Sequence, residues 1–263
     1  MIWSRRVALN GVYLDEVHEA IVIRRVEPAD GKESITAVPM ASGYGQRVTT
    51  MRRDMLDMVV RFAIRIRHDD MEGRSAVLEA VNSWAAMAAD GAFMTVNYKP
   101  NRRLWVVLAQ APGEGSLWDF NKEFTITFRA YVVPYWEDEI ESSVTSGVYT
   151  SGSMMITVPG STKTEAKVTV ANKSGMTITS VILTIAGQQM LFSGISLGAN
   201  QSLVIDHVQT GRLYYLRAQI AGVSVLAKRT GANDFRLSPG NNSISFSASR
   251  AVQVTVSVRG RYL

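Results

Sequence analysis

The chain has 263 residues, 46% of them hydrophobic and 19% charged, with a formal net charge of +5 and no cysteine. That balance belongs to a folded protein long enough for two cores, and it excludes disordered chains, disulfide scaffolds and thiolate metal sites. The amino-terminal MIWSRRVALNGVYLDEV holds no long apolar region and does not read as a signal peptide, and no apolar run approaches the ~20 residues needed to cross a bilayer.

Taken in order, residues 2–26 read as two strands around a turn at Asn10-Gly11, with AIVIRRV (Ala20–Val26) as the second strand. Because that second strand starts some residues later, the turn need not be a two-residue hairpin. Glu27-Pro28-Ala29-Asp30-Gly31 reads as another turn, and Ser42–Arg53 as a polar loop. Met55–Arg67 follows as a strand in which Val60, Phe62, Ile64 and Ile66 alternate with arginines, the pattern of a sheet with one wet face. One helix is expected over Glu72–Asp90. Asp69 or Asp70 caps its start, Gly91 lies where a C-terminal cap belongs, and Val77, Leu78, Val81, Trp84, Ala85 and Ala88 recur at helical spacing. Strands at Phe93–Tyr98, Leu104–Ala109 and Glu123–Val133 complete the first half.

An acidic and small-residue stretch then runs from Glu137-Asp138-Glu139 through Ser142–Gly147. Residues 1–141 carry a net −3 and residues 142–263 a net +8, so the domain boundary is placed between them, on an exposed linker that proteases should cut first. Beyond it, seven strand signals from Met154 to Leu226 follow one another at short intervals with glycine and asparagine turns between them, and no helical period appears. This is the pattern of a sandwich or jelly roll. The chain closes with a turn, Ser238-Pro239-Gly240-Asn241-Asn242, and two strands. The first carries Ile244 and Phe246 between serines, and the second carries Val252, Val254, Val256 and Val258.

These last residues also resemble a known family. A Leu-x-Pro-Gly-x-Asn turn, a short strand, and a valine strand ending Arg-x-Arg-Tyr are similar to the C-terminal end of distal tail proteins of long-tailed bacteriophages. The first half resembles the same family in its strands around a single helix and in Phe124, Ile126 and Phe128 followed by Pro134-Tyr135-Trp136; SLGANQSLVID (Ser196–Asp206) matches a segment of its second domain. The resemblance implies a mainly β protein of two β-sandwich domains. Residues 1–141 would form a ring and carry the one helix, and residues 142–263 would be a galectin-like sandwich outside it. It implies a hexameric hub in the virion tail, assembled in the host cytoplasm, with the tail tube and tail-tip proteins as partners and a cell-surface polymer as a further one. It implies no cofactor, no membrane insertion and no sequence-specific nucleic acid.

Enzymatic readings have little to stand on. Gly43-x-Gly45 lacks the context of a phosphate loop, and His18, His68 and His207 lie far apart with no metal-ligand spacing. Asp206-His207 comes without a nucleophile elbow, and Glu137, Asp138, Glu139 and Glu141 lack calcium-loop spacing and read as a solvated linker. A ring needs head-to-tail contacts, for which Gly43, Tyr44, Arg47, Arg52 and Arg53 of the polar loop, with Trp118 and Trp136, are the interface candidates. Lys228, Arg229, Arg236, Arg250, Arg259 and Arg261 are read as the contact for an acidic partner. The rival reading is a non-enzymatic carbohydrate-binding sandwich, against which stands a second half with no tryptophan.

Overall fold

In the computed structural model the described residues are 6–29, 33–39, 46–53, 55–67, 69–113, 123–210 and 213–263, with side chains described except at 29, 33–39 and 46–53. The fold is mainly β, and it divides into two compact units that meet in sequence at Tyr135 and Trp136, slightly ahead of the boundary read from charge.

The first unit begins with β1 (Val7–Leu9) and β2 (Val12–Tyr13), joined as a true two-residue hairpin. Asn10 at φ 48° and Gly11 at φ 86° supply the two positive angles that such a turn requires. A single helical turn, α1 (Leu14–Val17), leads to β3 (Ile21–Ala29). The turn expected at Glu27–Gly31 begins later than the sequence suggested. Glu27, Pro28 and Ala29 belong to β3 and oppose Val59, Met58 and Asp57. Pro28 is tolerated there because β3 is the last strand of its sheet and bonds on one side only.

After β3 come β4 (Glu33–Pro39), β5 (Gln46–Arg53) and β6 (Leu56–Ile64). The helix α2 (Met71–Ala86) precedes β7 (Ala92–Val96), β8 (Arg102–Gln110) and β9 (Phe124–Ala130). The strands of this unit's sheet lie in the order β2-β1-β7-β8-β9-β6-β3. Period-two alternation puts Leu56, Met58, Val60 and Phe62 of β6 in the core, where Phe62 stacks on its cross-strand partner Phe124 at 5.3 Å. The helix has the predicted cap, with Asp70 Oδ1 accepting from the Gly73 N–H at 2.8 Å, and buries the predicted stripe of Val77, Leu78, Val81, Trp84 and Ala85.

The second unit is a sandwich. Its first strands are β10 (Trp136–Asp138), β11 (Ser142–Thr145), β12 (Tyr149–Val158), β13 (Thr164–Glu165) and β14 (Lys167–Asn172). Next come β15 (Ile178–Ile185), β16 (Gln188–Leu197), β17 (Ser202–Thr210), β18 (Leu213–Ile220) and β19 (Val223–Ser224). The chain ends with β20 (Arg229–Gly231), β21 (Arg236–Leu237), β22 (Gly240–Val258) and β23 (Arg261–Tyr262).

Where the sequence suggested two closing strands there is one, β22, nineteen residues long. Its first half lies between β12 and β15, and its second half between β11 and β14. Between Ser247 and Val252 the pairing with β12 slips, because Ser151 opposes Ser247 while Tyr149 opposes Val252. The extra residues of β22 form a corner, so one strand belongs to both layers, as happens where strands bend to switch sheets. Both halves send side chains into one core, Ile244 and Phe246 from the first and Val252, Val254, Val256 and Val258 from the second.

The stretch expected as a free linker is built into this unit. Ser142–Thr145 opposes Thr255–Val258, and Tyr149–Val158 opposes β22 from Gly240. The acids of that stretch therefore belong with the second unit. Counted by compact unit, the first carries 18 Lys/Arg against 16 Asp/Glu and the second 10 against 7, so the charge asymmetry read along the sequence falls to +2 against +3.

Candidate assembly interface

The ribbon formed by β4 and β5 pairs with no other described strand. Its register has the same sum as that of β3 with β6: Ala29 opposes Asp57, and Glu33 opposes Arg53. Arg47, Arg52 and Arg53 lie on β5, whereas Gly43 and Tyr44 fall in the connection between the strands, outside the described residues, as does Trp118. The polar loop expected over Ser42–Arg53 is thus mostly strand. With Glu33 as its one acid, the span 33–53 carries a net +2. A two-stranded ribbon alone is marginal in water, so both of its open edges call for a partner.

Elsewhere in the unit, Trp84 joins α2 to the sheet. Its Nε1–H donates to the Val12 carbonyl at 2.9 Å, and its ring meets Phe128 edge-on at 5.7 Å. An open hollow of about 370 Å³ remains beside it, lined by Val12, Val17, Ala80, Ser83, Trp84 and Met87.

Of the residues read as contacts for outside partners, several have partners inside the chain. Trp136 is 2% exposed, opposite Tyr262, so its side chain is not offered to a neighbouring copy. Arg261 is 6% exposed. It reaches Glu137 Oε1 at 3.0 Å and the Tyr214 hydroxyl at 2.9 Å, and also pairs with Glu165. Tyr214 donates its hydroxyl to Glu165 at 2.7 Å. Burial lowers the Arg261 pKa, but Glu165, Tyr214 and Glu137 outweigh it and hold the guanidinium charged. Burial likewise raises the Tyr214 pKa, keeping the phenol protonated as a donor.

Arg259 pairs with Glu141 at 3.2 Å and donates to the carbonyls of Asp138 and Glu139, while the Tyr262 hydroxyl donates to Asp138 at 3.1 Å. The acidic stretch is therefore engaged by the carboxyl-terminal Arg-Gly-Arg-Tyr, not simply solvated. Arg236 pairs with Asp234 at 3.0 Å and Arg229 is held by Asn233, whereas Lys228 and Arg250 are exposed. The set read as one acidic-partner contact thus splits into an internal clasp, Arg259 and Arg261, and a more exposed remainder. The signal that could have found the clasp was the pairing of an Arg-x-Arg-Tyr end with an acidic run more than a hundred residues away, which no local pattern exposes.

Asp206 and His207 part company. Asp206 holds Arg217 in a two-pronged ion pair at 2.9 and 2.6 Å, and the His207 ring stacks on Tyr214 at 5.1 Å. Alternation along β17 sends the two side chains to opposite faces, so they do not form a relay.

The chain is mainly β, with one long helix in its first unit, a separate two-stranded ribbon and a second sandwich unit. That fold is met in the solved SPP1 Dit protein, a paradigm of the hub adsorption apparatus in Gram-positive infecting phages. It aligns over 98% of this chain and 99% of its own with a TM-score of 0.67 and 13% identity. Two baseplate structures of phage p2 in the activated conformation, with strontium and with calcium, align over 97% of this chain and 97% and 98% of theirs. At a TM-score of 0.46 and 6% identity these are too distant to bear on the reading. No protein-family model matches the sequence, and no curated protein sequence matches it.

Proposed function

We propose that this chain is a structural component of a phage virion tail, a hub of identical copies in a ring that joins the tail tube to the tip or the host-adsorption device, with no catalytic role. The observation that carries this is the end-to-end likeness to the SPP1 Dit fold, which takes in both units. The unpartnered ribbon supports it, because a ring is built from heterologous contacts in which an element of one copy meets a different surface of the next. In this reading the first unit, which ends at Tyr135, forms the ring, six copies in all, and the second unit, from Trp136 on, forms the outward sandwich. The partners are tail tube and tip proteins, and the location is the tail of a particle assembled in the host cytoplasm.

Native mass spectrometry and negative-stain imaging of the purified protein, alone and with its tail-tube neighbour, test the proposal. Closed rings of about six copies are expected, since a head-to-tail contact yields a ring when its rotation closes. Monomers across a wide concentration range, and no ring with the tube protein, would overturn it.

A further inference from the structure

The large sheet of the second unit has edge strands of very different length. Three are short, β19 with two residues, β20 with three and β11 with four. The fourth is β12, ten residues long, which among the described strands pairs with β22 alone. Its other side is an open row of backbone donors and acceptors, roughly 33 Å long at 3.3 Å per residue. Proteins usually blunt such an edge by keeping it short or by placing lysine or proline on it. The sequence of β12, YTSGSMMITV, contains no proline and no charged residue.

The two faces of this edge differ in chemistry. Ser151, Ser153, Met155 and Thr157 lie on the outer face and are exposed, whereas Ile156 and Val158 lie in the core at 4% and 2% exposure. The next row of the outer face, on β22, is uncharged and exposed as well: Ser247, Ser245 and Ser243 stand opposite Ser151, Ser153 and Met155. On the core side the rim is thin at Gly152. Its cross-strand partner Phe246 covers it so closely that a Cβ there would come within 2.9 Å of the ring, and the adjoining Met154 is half-buried. A strand laid along β12 therefore meets an apolar rim on one of its faces and hydroxyls on the other.

We infer that the open edge of β12 is a docking site for an extended, uncharged segment of another tail protein, which adds to the sheet as one more strand. The unpaired backbone calls for a strand, since about five of the ten residues of an antiparallel edge turn both N–H and C=O outward. The side chains define its composition, apolar residues alternating with serine or threonine, because a charge in that segment would lose water beside groups that offer no counter-charge. That the segment comes from a different chain rests on the ring reading above. Copies in a ring are related by rotation about one axis, so like edges never face each other across a two-fold.

The test uses the full chain and a capped nonapeptide, NNSISFSAS, copied from residues 241–249 because its alternation already matches β12. A scrambled peptide of the same composition without alternation is the control. Hydrogen exchange should slow over residues 149–158 when the alternating peptide is added, and that peptide should bind at least tenfold more tightly than the scramble. Met155→Lys and Ser153→Lys, both at exposed positions, should each weaken binding at least tenfold at an unchanged melting temperature. No slowing over 149–158, equal binding of the scramble, or binding indifferent to both lysines would overturn the inference. The chain has no cysteine, so Ser153→Cys reports on the occupant. Dimers of the protein alone linked through that one thiol would make the occupant a second copy and overturn it as well. Absence of rings would overturn the ring reading and leave these readouts intact, whereas rings with an unprotected β12 would overturn this inference alone.

Discussion

Arg261 is the clearest case of a side chain whose value depends on what its removal leaves behind. A buried ion cluster is at best a modest source of stability, because desolvating the charges offsets much of their attraction. Removing the central cation is different, since Glu137, 14% exposed, would lose its guanidinium partner and Glu165, 10% exposed, would keep only the more distant Arg236 at 3.8 Å. Arg261→Met should therefore destabilise the second unit by ~3–5 kcal/mol in urea unfolding, well beyond the median effect of a surface pair. His207 supplies a second test. Burial lowers its pKa from the usual value despite the pull of Glu165 and Asp234, so the unfolded chain binds that proton more readily than the folded one. Its contribution is fully present above the unfolded pKa of ~6.5 and is lost as pH falls toward the lower folded value. His207→Phe should flatten the decline in stability between pH 7 and pH 5, and an unchanged slope would show that other groups govern it. None of this was legible in the sequence. Arg261 looked like one of several free cations because its acids lie in strands that meet it only after the second unit closes.

Among the elements, α2 was legible in its cap and its stripe because both are local, but it ends at Ala86, four residues short of the Asp90 expected from Gly91. Trp84 anchors it at 2% exposure, so Trp84→Ala should cost ~3–5 kcal/mol and be seen as a large fall in the first unit's melting temperature. A shift of less than a degree would mean the stripe carries little. The strands were legible where alternation is strict, as in β6 and both halves of β22. The joining of those halves was not, because Ser249-Arg250-Ala251 interrupts the apolar period at the corner, where side chains leave the core. The ribbon was missed for a related reason. Neither ESITAVP (Glu33–Pro39) nor QRVTTMRR (Gln46–Arg53) shows a strict apolar alternation, and Pro28, which ends most central strands, is accommodated at a sheet edge.

At the scale of the whole molecule, the second unit depends on residues made last. The strand β22 pairs with β11, β12, β14 and β15, so it is the shared strand of both layers, with partners that range from Ile185, opposite Ile244, back to Ser142, opposite Val258. Deleting 240–263 should abolish the cooperative melting of that unit while the circular-dichroism signal of α2 in the first unit persists. Loss of both signals would show that the units do not hold their structure separately. The two-unit plan was legible because turns and strand periods change character near residue 140. The charge contrast that marked the same place was partly an artefact of cutting the sequence there, since acids on one side of the cut neutralise arginines on the other.

The antiparallel meeting of β10 with β23, and of β11 with the end of β22, has a mechanical consequence. The first and last strands of the second unit run side by side with the incoming and outgoing chain at the same end. Tension applied between those ends would not shear the strands along their length, loading all their bonds together. It would peel them apart like a zipper, one pair at a time, from Trp136 and Tyr262 inward. The second pair is Glu137 with Arg261, so the buried ion cluster sits at the second tooth of that zipper, where a peeling force would arrive as soon as the outermost pair had parted.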